Sequence, residues 1–252
     1  MDDNNKLNTI WQEPPSQPIL ANNRVHVWRT SLDLPTAKIN QLATFLSPDE
    51  LARANKFHFI EHQKRFIAAR GILRQLLGNY LQTSSNEIEF EYSDRGKPRL
   101  AESMNNSSLQ FNVSHSQEYA VYGFTNHHLI GIDVEYLREM GNITKLAQRF
   151  FTHREFQSIA NLTEKEQHKA FFQFWTVKEA YLKAIGTGLS NSLTDIEISL
   201  DRANYPKLLA IKENIGAVSN WSMYSCILAV NYRAAIIINA QIPKQKINFW
   251  NW

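Results

Sequence analysis

The sequence predicts an α+β fold, with helices and strands mixed but not in strict β-α-β alternation. Two observations carry that reading. Three capping boxes, Ser47 with Glu50, Thr152 with Glu155 and Thr163 with Glu166, mark helix starts by pairing a hydroxyl with a carboxylate three residues on. Between the first and second lie short β-rich runs separated by polar breaks. In chain order, residues 1–20 are polar, carry Pro14, Pro15 and Pro18, and read as an irregular arm. Val25, Val27 and Trp28 mark a first strand. Pro48 suits the first helical position, so a helix is expected over 48–57. Phe66, Ala69, Leu73, Leu76, Leu77 and Tyr80 recur at helical spacing and predict a helix over 62–80. The runs 111–115, 120–124 and 129–135 then suggest an antiparallel meander. Helices follow over 153–160 and 164–185, the second ended by Gly186 and Gly188. A weaker strand near 196–200 and a hairpin of 221–227 with 233–239 complete the pattern. The aromatic tail Phe249-Trp250-Asn251-Trp252 is expected to pack back on the body. A boundary near the middle of the chain divides it into subdomains 21–127 and 128–252.

A chain of 252 residues with 43% hydrophobic and 12% aromatic content has apolar mass enough for a substantial core. It is neither a disulfide-stapled mini-protein nor globally disordered. The net charge of +3 calls for neither a nucleic-acid nor a membrane partner. A lone cysteine, Cys226, excludes an internal disulfide and a multi-cysteine metal cluster, and fits a reducing cytosol. The first ten residues show no positive n-region and no apolar h-region. The longest apolar runs, 226–230 and 234–238, are strand-sized and far short of the ~20 residues of a membrane span. The expectation is a soluble, cytoplasmic globular protein.

Three tracts can carry chemistry. In Gly131-Ile132-Asp133-Val134-Glu135, strand alternation puts both acids on one face and both aliphatics on the core face. Two such carboxylates are either solvated acids at an exposed edge or hard ligands suited to Mg²⁺ or Mn²⁺. In the tract from Trp175 to Gly186, Glu179 and Lys183 are i,i+4 helix neighbours with Trp175 one turn earlier, and Lys178 lies about 100° around the axis. An ordinary surface pair is the bland reading. The apolar flank of Phe171, Phe172, Phe174, Val177, Tyr181 and Leu182 favours a cleft. The third is basic: Arg53, Lys56, Lys64, Arg65, Arg70 and Arg74, then Arg95-Gly96-Lys97-Pro98-Arg99 in a turn. Most of these are solvated surface, yet Arg and Lys beside a Gly-Pro turn suit phosphate. Asn112-Val113-Ser114-His115-Ser116 adds hydroxyls and an imidazole at a strand end.

Taken in order, these tracts, with Phe150-Phe151-Thr152-His153-Arg154-Glu155, resemble the Sfp-type 4′-phosphopantetheinyl transferases. The tract from Trp175 fits that family's W-x-x-K-E-A-x-x-K signature in full, and the resemblance spans about residues 45–200. It implies two similar α+β subdomains related by a pseudo-twofold, with coenzyme A and Mg²⁺ (or Mn²⁺) in the cleft between them. It implies transfer of the 4′-phosphopantetheine arm of coenzyme A to a serine of an acyl or peptidyl carrier protein, leaving adenosine 3′,5′-bisphosphate. The carrier would serve fatty acid, polyketide or nonribosomal peptide synthesis. By the same resemblance Asp133, Glu135 and Glu179 hold the metal. Arg53, Arg95, Lys97, Asn112, Ser114, His115, Asp133, Lys178 and Lys183 contact coenzyme A, with His115 and Arg53 at its 3′-phosphate and Lys183 at the pyrophosphate. Glu179 is the expected base, acting with Lys183 and Asp133, and no protein nucleophile is required. Some relatives carry a lysine where Glu50 stands. The competing reading is an inactive coenzyme A-binding module that escorts carrier proteins; the intact set of acids and lysine speaks against it. Two halves in one chain imply a monomer.

Overall fold

In the computed structural model, the structure describes residues 9–187, 193–200, 206–212 and 215–252. Gly188, and Ser190 at the end of the signature tract, lie outside them. The order is β1 (Val25–Ser31), α1 (Thr36–Ala43), α2 (Pro48–Ala54), α3 (Ile60–Leu81), β2 (Phe90–Tyr92), β3 (Pro98–Leu100), β4 (Leu109–Ser116), β5 (Tyr119–Asn126) and β6 (Ile130–Tyr136). It continues with α4 (Ile143–Phe150), α5 (His153–Ala160), α6 (Glu164–Ile185), β7 (Ile196–Leu200), β8 (Pro206–Ile211), β9 (Ser222–Ala229), β10 (Tyr232–Ile238) and β11 (Ile247–Asn251).

All three capping boxes form. At Thr152 the box is reciprocal: the Thr152 N–H donates to Glu155 Oε2 (2.8 Å) and the Glu155 N–H donates to Thr152 Oγ1 (3.3 Å). Helix α2 stops at Ala54 and α3 begins at Ile60, close to the expected bounds. Helix α6 ends where Gly186 takes a left-handed φ of 75°. Helices α1 and α4, the short β2–β3 hairpin, β8 and β11 are not foreshadowed by sequence pattern.

The strands form a four-stranded sheet, β11-β1-β5-β4, and a three-stranded sheet, β6-β10-β9. The alternation on each strand builds three hydrophobic layers. Trp28, Tyr122 and Phe124 face Ile72, Leu73 and Leu76 of α3. Ala235 and Ile237 face Phe171, Phe174 and Val177 of α6. Val25, Val27 and Val121 meet Ile132, Val134 and Ile236 between the sheets. The result is helix, sheet, sheet, helix, and each half owns one helix of 22 residues. The aromatic tail is strand β11, parallel to β1 with Trp28 opposite Trp250, and Trp250 is buried. Residues 9–20 are irregular apart from one bridge of Gln12 to Trp250.

The expected three-stranded meander is corrected. Strands β4 and β5 pair antiparallel, but β6 pairs with β10 in the other sheet, Asp133 opposite Ala235. Two features pull β6 away. A Cβ on Gly131 would lie 1.8 Å from the Ala180 carbonyl, so glycine lets β6 lie directly against the α6 backbone. The β6 edge facing β4 is also taken, by side chains: Ile132 N–H donates to Asn112 Oδ1 (2.8 Å), Val134 N–H to Ser114 Oγ (3.3 Å) and Tyr136 N–H to Ser116 Oγ (3.1 Å). Among the described residues, no helix is long and apolar enough to cross a membrane.

Candidate active site

Strand β6 presents Asp133 and Glu135 on one face, and α6 lays Trp175, Glu179 and Lys183 along the stripe opposite. Lys183 Nζ donates to Asp133 Oδ1 (2.6 Å) and to Ser114 Oγ (2.8 Å), and Ser114 donates to the same Asp133 oxygen (2.9 Å). Trp175 Nε1 donates to Glu135 Oε1 (3.1 Å). Asp133 is only 3% exposed. Four of the sequence-predicted residues, Asp133, Glu135, Glu179 and Lys183, are therefore brought together at the junction of the halves.

The electrostatics are those of crowded acids. Burial, then Asp133 and Glu135 against the opposing charge of Lys183, together raise the Glu179 carboxyl to about 7. Glu135 is raised by burial and by Asp133, against Lys183. Two buried oxygens here, Asp133 Oδ2 and Glu179 Oε1, have no hydrogen-bond partner. Orphaned carboxylate oxygens are costly to bury and suit a hard cation, so the donor set fits Mg²⁺ in kind. Among the described residues no three His, Cys, Asp or Glu side chains stand together in a metal-holding cluster. Lys183 pairs with the charge of Asp133.

The remaining predicted residues divide. His115 is open at the surface at the end of β4, and its pKa is lowered by desolvation and then by the positive charges of Lys183, Arg53 and Arg70, against Asp133. It thus faces a cationic corner, to which Arg53, exposed over the Phe66 ring at 5.4 Å, contributes. Lys97 reaches across from the β2–β3 turn to donate to the Ala184 carbonyl in the last turn of α6 (3.0 Å), and burial lowers its pKa to about 8. Arg95 is exposed in that turn. Asn112 is buried with Oδ1 committed to Ile132 N–H, and the Ser114 hydroxyl has already used both lone pairs and its proton. The Ser114 hydroxyl thus has no capacity left for a further hydrogen bond.

Lys178 does not join the site. Its Nζ is fully buried on another face of α6, donating to Glu155 Oε2 (2.8 Å) and to the Leu193 and Ile196 carbonyls (2.6 Å each). The expectation that it contacts coenzyme A is corrected: it is a structural pin, because the side chains 100° around a helix meet different neighbours. Two residues of the quoted tracts to which the sequence assigns no individual role also stand beside the site. Arg70, with Nη1 buried and unpartnered, lies 3.3 Å from Glu50 and over Phe90, on the His115 side. Glu50 is buried and also holds Arg74 at 2.7 Å, which accounts for an acid at that position. Ser116, two residues beyond Ser114, donates to Glu135 Oε2 at 3.4 Å; the matching period-two spacing of the serines and the acids was a usable signal.

Comparisons with known proteins identify the family. Residues 129–237 match the family model "4′-phosphopantetheinyl transferase superfamily", and residues 28–125 match "4′-phosphopantetheinyl transferase, N-terminal". The 4′-phosphopantetheinyl transferase HetI of Nostoc sp. is 45% identical over 80% of this chain and 85% of its own length. The transferase psf-1 of Bacillus pumilus is 29% identical over 65% of this chain and 67% of its own. A Homo sapiens relative, L-aminoadipate-semialdehyde dehydrogenase-phosphopantetheinyl transferase, is 30% identical over 63% of this chain and 54% of its own. Among solved structures, a holo-(acyl-carrier-protein) synthase from Bacillus anthracis in complex with CoA (3′,5′-ADP) is similar at 26% identity, covering 43% of this chain and 92% of that one, with a TM-score of 0.36. Both halves match one class of enzyme, the phosphopantetheinyl transferases. The chain belongs to the 4′-phosphopantetheinyl transferase superfamily.

Proposed function

We propose that the protein transfers the 4′-phosphopantetheine arm of coenzyme A to a serine hydroxyl of an acyl or peptidyl carrier protein, converting apo carrier to holo carrier and releasing adenosine 3′,5′-bisphosphate. The observation that carries this is the convergence of Glu179, Asp133, Glu135 and Lys183 at the junction of the halves, two of the acids with an unpartnered buried oxygen.

The serine oxygen attacks the phosphorus of the phosphopantetheine phosphate, and the bond from that phosphorus to the bridging oxygen of the diphosphate breaks. Glu179, whose buried Oε1 has no hydrogen-bond partner, takes the serine proton. Lys183 balances the charge that develops on the leaving bisphosphate. Asp133, Glu135 and Glu179 would hold Mg²⁺ or Mn²⁺, which when bound supplies a Lewis acid for the diphosphate oxygens. His115 and Arg53, in the cationic corner, suit the 3′-phosphate, and Lys97 lies close to the same end of α6. The free, buried Cys226 takes no part and fits a cytoplasmic location. The reading places the subdomain division between β5 and β6 and treats the protein as a monomer, since one chain supplies both walls of the cleft.

The test is incubation with apo carrier protein, coenzyme A and Mg²⁺ followed by mass spectrometry of the carrier. A gain of one phosphopantetheine arm supports transfer. Unchanged carrier mass together with tight coenzyme A binding supports the escort reading instead.

A further inference from the structure

Strands β4 and β6 run side by side yet share no backbone ladder. Three β4 side chains replace it, and the offset is constant: Asn112 to Ile132, Ser114 to Val134 and Ser116 to Tyr136 are each twenty residues apart. Because the period of a strand is two, all three side chains stand on one face of β4. The two serines do a second thing. Each accepts from a β6 N–H and donates its own proton to the acid one residue earlier, Ser114 to Asp133 and Ser116 to Glu135. A hydroxyl can do both at once, as it offers lone pairs and a single donor. The Ser114 hydroxyl is saturated, with Lys183 on its remaining lone pair.

We infer that Ser116, with Ser114, is a positioning residue for the cation site: the hydroxyls of β4 clamp β6 by its backbone and aim the carboxylates of Asp133 and Glu135. The inference rests on the proposed role of those acids. The logic is that of outer-shell partners, which orient ligating groups without touching the ion. Ser116 is the discriminating member. It lies at the strand end, is only half-buried, and its hydroxyl bonds Glu135 and Tyr136, neither of which is assigned to coenzyme A. Its Tyr136 bond and Glu135 bond are lost together in Ser116→Ala and kept together in Ser116→Thr, whose β-branched side chain suits a strand.

The experiment saturates the protein with coenzyme A and titrates Mn²⁺, following the free ion by its electron paramagnetic resonance signal. Ser116→Ala is expected to weaken Mn²⁺ binding by about 10- to 100-fold, with coenzyme A affinity measured without metal unchanged. Ser116→Thr is expected to restore wild-type binding. Wild-type Mn²⁺ affinity in Ser116→Ala overturns the inference. So does equal impairment of the Ala and Thr variants, which marks a packing effect, with thermal melts reporting whether each variant is folded. Failure of the underlying reading is separately visible, as wild-type protein that takes up no Mn²⁺.

Discussion

Replacing Lys178 by methionine tests the claim that this signature lysine supports the fold and not the ligand. All three protons of its ammonium are spent on Glu155 and on the carbonyls of Leu193 and Ile196, and both members of the ion pair are fully buried. Methionine nearly fills the volume and leaves those three acceptors facing an apolar chain. Glu155 keeps two backbone donors, Thr152 N–H and Ile198 N–H, so its charge stays partly compensated. Removing one partner of a buried pair costs about 3–5 kcal/mol, a large part of the 5–15 kcal/mol that holds a typical domain together. For a protein of this size that lowers Tm by on the order of 10 °C. Urea denaturation followed by circular dichroism measures the loss. KM for coenzyme A in the folded fraction stays at its wild-type value. A stability loss under about 1 kcal/mol, or a large rise in KM with stability intact, refutes the assignment.

Glu179→Gln keeps shape and burial but removes the base, and is expected to lower kcat for carrier modification by at least about 100-fold with an unchanged melting curve; near-normal turnover defeats the base assignment. Lys183→Ala is expected to reduce kcat more than it raises KM for coenzyme A, and the opposite split in steady-state kinetics would make it an anchor only. His26 is buried with Nδ1 within hydrogen-bond distance of the Tyr80 hydroxyl (2.8 Å), which accepts from Trp28 Nε1. Burial, then Arg24, lowers its pKa to about 3. The unfolded chain binds that proton near pH 6.5 and the native state does not, so stability is full above pH 6.5 and falls steadily toward pH 3. The loss totals on the order of 5 kcal/mol. His26→Asn flattens that acid limb in denaturant titrations at stepped pH, and an unaltered slope contradicts it.

What the sequence showed depended on the range of the cause. Capping boxes and helical period are written within four residues, and they placed α2, α3, α5 and α6 close to their observed bounds. The acids of β6 and the Glu179–Lys183 pair were equally legible, since strand and helix periods fix which side chains share a face. Pairing was not. Alternation in 129–135 marks a strand but carries no information about its neighbour, and β6 found its partner in β10, about a hundred residues on. The same limit misplaced Lys178: its angle on the helix was clear, but the presence of Glu155 and two carbonyls beneath it is a property of the folded packing. That Asn112 and Ser114 bond the β6 backbone is likewise a property of the packing, which the sequence does not carry.

The parallel seam of β11 on β1 joins residues more than two hundred positions apart, with Trp250 seated against Trp28 at 4.9 Å. A ribosome that has finished the first half has therefore not yet made one border of that half's own sheet. Until residues 247–251 emerge, β1 presents an open row of amides and an apolar pocket, an adhesive margin for any stray strand. Maturation of the first half is thus timed by the last residues of this seam, and a cut between the halves leaves a fragment that lacks its own closing strand.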